Sequence, residues 1–586
     1  MVQQFLTLAR QDESVFITDV RRAFQQGGTR PFHLHVELYS GEVRSFPLML
    51  PVCENEAERA FAADYIHAMV YNILSSLGSA KLTVYLDPAD EEAARLAAGL
   101  DTVFQLHAPK TERFGYGKCL NVNERVLSIL SGGAKQFAFC VEDIAAEPEL
   151  CADSTFAQGA PVFEQLPAIA ADKMLLGIDI GGTDIKFSSS VNGKLALCKE
   201  FDWNPIDFPS SKEFLEPILL LTRLMRAGTA LFAMEKDSEI VKSAFLKEAT
   251  AAEMEAAACA MEAAAGASLS AFDGIGLSFP DVVIRNRIVG GETTKTRGMR
   301  ENPALDYEAD FLNLTDVCET LKAYTVPGGK VMACNDGPMS AFTTAVEQAA
   351  VGMDLSRGVF AYSLGTELGT GWLLPDGSIP AMPLEVYNFI VDLGSYQQKT
   401  YDCMDIRSTR NVNTNLPGSL QKYTGQSGVF RLAAKWLPEK APEILRQAEE
   451  RNLFAWDGER YVVPTQPEDM RKACLEFFME KAAAGEPTCQ EIFRTIGQYL
   501  AVTWAENQDL LSSPATERTL FGRLVKRQEC FRLMCEGAAQ REPSLVLHAA
   551  DSALANTPLM QQLEQHPDYT VAQFAQAIGA IYYSCI

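Results

Sequence analysis

The chain has 586 residues, 47% apolar and 22% charged, and its 76 acidic against 51 basic residues leave a formal net charge of −25. That length exceeds what a single hydrophobic core supports, so two to four domains are expected. The acidic balance opposes the counterion release that drives nucleic-acid binding, and no apolar run approaches the ~20 residues of a membrane span, so neither a nucleic acid nor a membrane is an expected partner.

The N-terminus, MVQQFLTLARQDE, has neither the basic start nor the apolar stretch of a secretory signal, and the expected location is cytoplasmic. Fourteen cysteines spread from Cys53 to Cys585 contain no C-x-x-C pair, a usage that suits a reducing compartment. The six histidines lie at 33, 35, 67, 107, 548 and 566, so chemistry in the span between must run on carboxylates, hydroxyls or backbone.

Along the chain, His33 to Tyr39 suits a strand, Ser40-Gly41 a turn and Val43 to Leu50 the return strand. Ala57 to Leu77 has helical spacing, with Phe61, Tyr65, Met69 and Ile73 four apart. A strand at Lys81 to Leu86 and a helix at Glu91 to Ala98 follow. This segment reads as a small α/β unit without a chemical motif. His33 and His35 alternate on one strand face and read as surface or packing residues.

A Pro/Ala-rich passage, Ala145 to Asp172, marks a boundary. Beyond it come the apolar strand Met174 to Ile180, a second strand at Phe187 to Val191, the turn Asn192-Gly193 and a third strand at Lys194 to Phe201. Helical sequence fills 211–266. Strands are then expected at Asp273 to Phe279, Lys330 to Asn335, Gly358 to Leu364 and Gly369 to Leu374, with a largely helical remainder ending in Val571 to Tyr583.

Three strand ends carry chemistry. Gly181 and Gly182 allow backbone N–H groups to approach a phosphate, Thr183 adds a hydroxyl, Lys186 lies just beyond, and Asp179 suits a magnesium ion held through water. The string Ser363 to Gly371 is a second hairpin of the same kind, with Gly365, Thr366, Gly369, Thr370 and Gly371. Asn335-Asp336 closes a strand before a helix. A carboxylate there accepts a proton from an attacking alcohol; the plainer role of the pair is a helix cap.

The strings DIGGTDIK, GIGLSFPD, CNDGPMSA and SLGTELGTG occur in the order seen in the ROK family of the hexokinase–actin superfamily, and the chain resembles that family over about 174–586. Thr519 to Lys526 resembles its adenosine-contacting turn and Ala575 to Ala580 its final helix. The resemblance implies an α/β, two-lobed actin-like or hexokinase-like ATPase fold with central mixed sheets. The implied domains are an accessory α/β domain over 1–170, a first lobe over 171–350 and a second over 351–586, whose final helix packs back on the first. It implies ATP and Mg2+ as cofactors, with phosphate and magnesium at Asp179 and Gly181 to Thr183, a second phosphate loop at Gly365, Thr366 and Gly369 to Gly371, and base and ribose at Gly522. Asp336 would be the general base of a sugar kinase and Asn335 a sugar-hydroxyl ligand.

The sequence departs from the family at the acceptor side. The family's Glu-x-Gly-His is replaced by Glu385-Val386-Tyr387-Asn388, and only Cys403 lies where its zinc-binding cysteines belong, so no zinc is expected. Gly418 to Gln421 resembles the family's Gly-Cys-Leu-Glu and puts Gln421 where a sugar-binding glutamate is usual. Glu385, Asn388 and Gln421 are therefore the candidate substrate ligands beside Asn335. Pro280-Asp281 replaces the usual Pro-Gly, and Lys295, Arg297 and Arg300 supply three cations near the expected substrate edge. A sugar or sugar-derivative kinase is the leading expectation. A catalytically silent sugar- or nucleotide-binding regulator and a partner-stimulated ATPase remain alternatives, and a role for 1–170 in dimerisation leaves a homodimer open.

Overall fold

A computed structural model describes residues 1–11, 13–149, 162–236, 239–290, 294–365, 368–397, 406, 409–550 and 555–586. Two compact units divide the chain: Met1–Thr155 with Tyr362–Thr370 and Met382–Asp551, and Phe156–Ala361 with Gly371–Ala381 and Ser552–Ile586.

The first unit opens with helices Val2–Arg10 and Ile17–Gly27, which the sequence reading missed. Strands β1 (Arg30–Glu37), β2 (Val43–Leu50), β3 (Lys81–Leu86) and β4 (Phe139–Asp143) form a sheet in the order β2-β1-β3-β4. Alternate residues of β2 are buried, Phe46, Leu48 and Leu50 among them, as the period of two requires when one face meets a core. The helix Glu56–Ser76 starts at Asn55, whose side chain accepts from Glu58 N at 3.0 Å. His33 Nδ1 and His35 Nε2 each lie 2.8 Å from a Glu147 carboxylate oxygen. The two histidines therefore share a carboxylate brought from more than a hundred residues away.

The second unit is built on β5 (Met174–Ile180), β6 (Asp184–Val191), β7 (Lys194–Asp202) and β8 (Phe272–Phe279), a short β9–β10 pair (Val283–Ile284, Arg287–Ile288), and β11 (Thr325–Asn335). The sheet order is β11-β8-β5-β6-β7; β5, β6 and β7 run antiparallel in sequence, β8 is parallel to β5, and β11 is parallel to β8. A meander continued by parallel crossover strands makes this a mixed sheet in an α/β unit. Sequence expected helix across 211–266; the structure divides that stretch into Ser211–Ala233, Glu239–Ala244 and Ala251–Ala265. Leu221 and Leu224 of the first and Met254 and Met261 of the last join Leu176, Ile178, Phe187 and Leu277 of the sheet in one core.

The C-terminal helix Val571–Tyr583 lies against the same sheet at glycines. A Cβ on Gly177 would stand 1.9 Å from the Ala577 carbonyl oxygen, and one on Gly276 would stand 1.8 Å from that of Ala580. No side chain fits there, so helix backbone meets strand backbone directly.

The remaining strands are β12 (Val359–Leu364), β13 (Leu368–Leu373), a β14–β15 pair (Ala455–Trp456, Tyr461–Val462), β16 (Arg518–Phe521) and β17 (Leu547–Ala549). They give a sheet in the order β13-β12-β16-β17, with β16 and β17 parallel. Long helices, among them Gly425–Lys440, Pro487–Leu511 and Gln528–Arg541, make up most of the rest of the first unit.

Replacing Gly276 by alanine is expected to lower stability by about 2 kcal/mol or more, because the added methyl must displace the helix backbone. Urea unfolding of the full chain measures it; an unchanged midpoint for Gly276→Ala contradicts the close approach.

Candidate functional site

In the second unit the β5–β6 turn is closed by Gly181 N donating to Asp184 O at 2.8 Å. Its outward carbonyls are occupied by one tryptophan: Trp203 Nε1 donates to Gly181 O and Trp203 N to Thr183 O, both at 3.0 Å. The amides of Gly182 and Thr183 find no acceptor among the described residues. With the Gly181 and Thr183 carbonyls tied down and the Gly182 and Thr183 amides free, the turn is suited to an anion. Thr183 Oγ1 lies 3.4 Å from Asp184 Oδ2, and Lys186 is ion-paired with Asp184.

Asp179, one residue before the end of β5, lies opposite Lys186 of β6. Burial pushes its carboxyl up to about 6; Lys186 and a hydrogen bond with Ser278 oppose that rise, while the Asp336 and Asp184 charges add to it. Ser278, fully buried on β8, also donates to Gln576 Oε1 of the C-terminal helix at 3.2 Å.

Asn335 and Asp336 stand at the end of β11, where the helix Asp336–Ala350 begins. Both ends of the Asn335 side chain have protein partners: Oδ1 accepts from Gly337 N at 2.9 Å, an N-cap, and Nδ2 donates to Asp281 O at 2.7 Å. The Asp336 carboxylate is nearly half exposed, with Lys295 Nζ 3.9 Å from its Oδ2. Lys295 also covers the glycine turn, since a Cβ on Gly182 would meet its Cε at 3.4 Å. Asp179, the turn, Lys186, Lys295 and Asp336 thus form one charged cluster. Gly371 belongs to this unit as well, against the Gly337 carbonyl, where a Cβ would stand 2.3 Å away.

The other expected residues lie in the first unit. Gly365 O accepts from Gln426 N at 3.0 Å, and the positive-φ Gly522 presses on the same hairpin, its Cβ position 2.4 Å from Leu364 O. Gly369 and Thr370 return along β13, and Thr366 lies outside the described residues. The hydroxyls of Thr370 and Thr424 are buried without a hydrogen-bond partner among the described residues.

Nearby in sequence to Thr424, the acceptor-side candidates form a network. Asn388 Nδ2 donates to Glu385 Oε2 at 3.3 Å, Asn388 Oδ1 accepts from Asn411 Nδ2 at 3.0 Å, and Gln421 Oε1 accepts from Val412 N at 3.0 Å. Gln421 is fully buried, and its Nε2 has no acceptor among the described residues. Cys403 lies outside the described residues.

Sequence reasoning missed Asp184, Ser278, Trp203 and Asn411. Asp184 and Ser278 sit inside strings already singled out, whereas Trp203 and Asn411 carry no local signal. Lys295 stood out only as one of several loop cations.

Within the second unit, the free amides of Gly182 and Thr183 fit the donor requirement of a phosphate group. For magnesium, the described residues contain no cluster of three or more ligating side chains. Asp179 fits an ion held through water rather than a protein cage.

No family model matches the chain, and no curated protein matches it. Among solved structures it is similar to a ROK family glucokinase from Streptomyces griseus in complex with glucose and AMPPNP, at 13% identity over 70% of this chain and 98% of that one, with a TM-score of 0.37. It is also similar to a putative N-acetylmannosamine kinase from Listeria monocytogenes, at 12% identity over 70% and 98% with a TM-score of 0.36. A ROK family transcriptional regulator, a homolog of the E. coli MLC protein, matches at 12% identity over 70% and 79%, with a TM-score of 0.38. These low values leave function to the chain's own residues.

The raised Asp179 gives a pH test. Unfolded, the carboxyl titrates near 3.8; folded, near 6. The folded state holds this proton more tightly, so the group favours folding below about pH 4, and that contribution is lost as pH rises through about 6. Asp179→Asn should therefore gain about 2–3 kcal/mol relative to the unsubstituted chain between pH 4 and pH 7. Parallel urea midpoints for the two proteins across that range would show that the carboxyl is not enclosed.

Proposed function

We propose that this chain transfers a phosphoryl group from ATP to a hydroxyl of a sugar or sugar derivative, with Asp336 as general base. The observation that carries this is the charged cluster of the second unit: a proton acceptor at a helix start, beside a turn of free amides, with Lys295 within 4 Å of the one and covering the other.

Each group has a task in that reaction. Asp336 accepts the proton of the attacking hydroxyl as the oxygen meets phosphorus. The Gly182 and Thr183 amides hold phosphate oxygens with neutral donors, and Lys295 offsets the negative charge that develops there. Lys186, already paired with Asp184, shapes the turn and lowers the cost of ionising Asp179. A magnesium ion, held through water by Asp179, would supply further charge neutralisation. In the first unit, taken by itself, Gly365, Gly369, Thr370 and Gly522 are the nucleotide-side residues of this reading, and Glu385, Asn388 and Gln421 its acceptor-side residues. The Gln421 Nε2, buried without an acceptor among the described residues, suits a ligand oxygen, since a buried donor left without one costs about 1–3 kcal/mol.

One observation favours a second function, a catalytically silent sugar- or nucleotide-binding regulator. Asn335, expected to bind an acceptor hydroxyl, acts as the cap of Gly337 N through Oδ1 and spends one of its two Nδ2 hydrogens on Asp281 O.

ATP consumption with glucose, N-acetylglucosamine and gluconate separates the two. Phosphoryl transfer predicts turnover with at least one acceptor. It also predicts that Asp336→Asn lowers kcat by about 10²–10⁴-fold while calorimetric ATP binding is retained. Unchanged turnover in that variant removes Asp336 as the base. Binding of ATP and sugar without turnover in the unsubstituted protein establishes the regulator.

A further inference from the structure

The last turn of the helix Glu56–Ser76 is buried, although a helix C-terminus leaves carbonyls in need of donors. Those donors come from the acceptor-side loop of the same unit. Leu384 N donates to Ser76 O and Glu385 N to Ser75 O, both at 2.9 Å. Asn72, fully buried one turn earlier, makes a two-way bridge to Ile390: its Nδ2 donates to Ile390 O at 3.0 Å and its Oδ1 accepts from Ile390 N at 2.8 Å. The second Nδ2 hydrogen goes to Glu506 Oε1 at 2.9 Å, and Glu506 is ion-paired with Arg21 of the helix Ile17–Gly27.

The ladder continues past Ile390. Ile17 N donates to Val391 O at 3.0 Å, Leu393 N to Val15 O at 2.8 Å, and Val15 N to the fully buried Asp392 carboxylate at 2.8 Å. On its other side the loop bonds to the segment carrying Gln421, through Leu420 N to Phe389 O at 2.7 Å and Val391 N to Gly418 O at 2.8 Å. Asp392 joins both sides, since Tyr423 OH donates to its other oxygen at 2.8 Å. Residues 384–393 are therefore held along their length by residues 15–76, and they hold Glu385, Asn388 and Gln421 in turn.

We propose that the N-terminal segment is the positioning element of the acceptor site, with Asn72 as its central positioning residue. It fixes the backbone of 384–393 so that Glu385 and Asn388 are set before a substrate arrives. Its bonds to peptide groups at 384, 385, 390, 391 and 393 dictate loop geometry as well as domain attachment. This rests on the acceptor-side roles given above to Glu385, Asn388 and Gln421.

Hydrogen–deuterium exchange and kinetics on the full chain test it. In the unsubstituted protein, the amides of Leu384, Glu385, Ile390 and Leu393 should be as protected as those of the helix Glu56–Ser76; exchange at the rate of open loops overturns the proposal before any variant is made. In Asn72→Ala, exchange over 384–393 should rise at least about tenfold while β5 is unchanged. KM for glucose, N-acetylglucosamine or gluconate, whichever is turned over, should rise by a similar factor with KM for ATP within about twofold. Asn72→Ser, which retains a single polar atom, should fall between the two and serves where the alanine variant does not fold. Unchanged loop exchange, or equal rises in both KM values, overturns the proposal. Failure of the kinase assignment has a different sign: no turnover in the unsubstituted protein with any of the three acceptors, while the exchange result stands.

Discussion

A carbonyl oxygen lying where a Cβ would otherwise be is the constraint on which the second unit depends. Gly177 and Gly276 let the C-terminal helix settle on β5 and β8 backbone to backbone, and on its other side Gly579 leaves room for the Thr343 hydroxyl of the helix Asp336–Ala350. One helix therefore fixes three elements whose ends carry Asp179, Ser278 and Asp336. Gln576, on that same helix, receives the Ser278 hydrogen bond, so the packing surface reaches the chemistry itself. The last residues of the chain determine where the first phosphate-type turn can stand.

That geometry concentrates negative charge. Burial raises the Asp179 carboxyl, and the charges of Asp336 and Asp184 add to that rise, in a chain already carrying −25. An anion enters such a place only where neutral amides or compensating cations meet it. Lys186 is occupied by Asp184, which leaves Lys295 as the lysine spanning turn and base. In the proposed reaction, the balance of these charges matters more than any single carboxylate.

Local chemistry was readable from sequence wherever it needed only neighbouring residues. Val43–Leu50, Lys81–Leu86 and Met174–Ile180 were expected to the residue, because alternation or an apolar run bounded by turn residues is a local property. The glycine turns were readable for the same reason. The helices Val2–Arg10 and Ile17–Gly27 were missed: each is about ten residues long, and their buried positions are defined by distant partners, such as Glu506 for Arg21. His33 and His35 looked unpartnered because Glu147 lies on another part of the chain, and Asn335 looked available because Asp281 O is 54 residues away. Polar pairing across the fold has no signature in spacing, and at the candidate site it decides which side chains remain free.

The same distinction explains the acceptor-side loop. Its sequence lacks the histidine and the cysteine cluster by which ROK-type chains are expected to bind zinc, and sequence alone leaves that loop without support. Buried peptide groups must nevertheless find partners. Asn72 and Asp392 supply them, each fully buried and each bonded to backbone amides of another segment. A frame of neutral amide bonds and one buried carboxylate requires no thiolate or metal, but it depends on exclusion of water, because each bond is worth little once its groups can turn to solvent. The helix Val2–Arg10, missed by sequence reading, packs on Leu393–Gln397 at one end of that frame, and Val15 and Ile17 bond to its backbone, so the segment with no chemical motif of its own supports the loop that carries the acceptor-side residues.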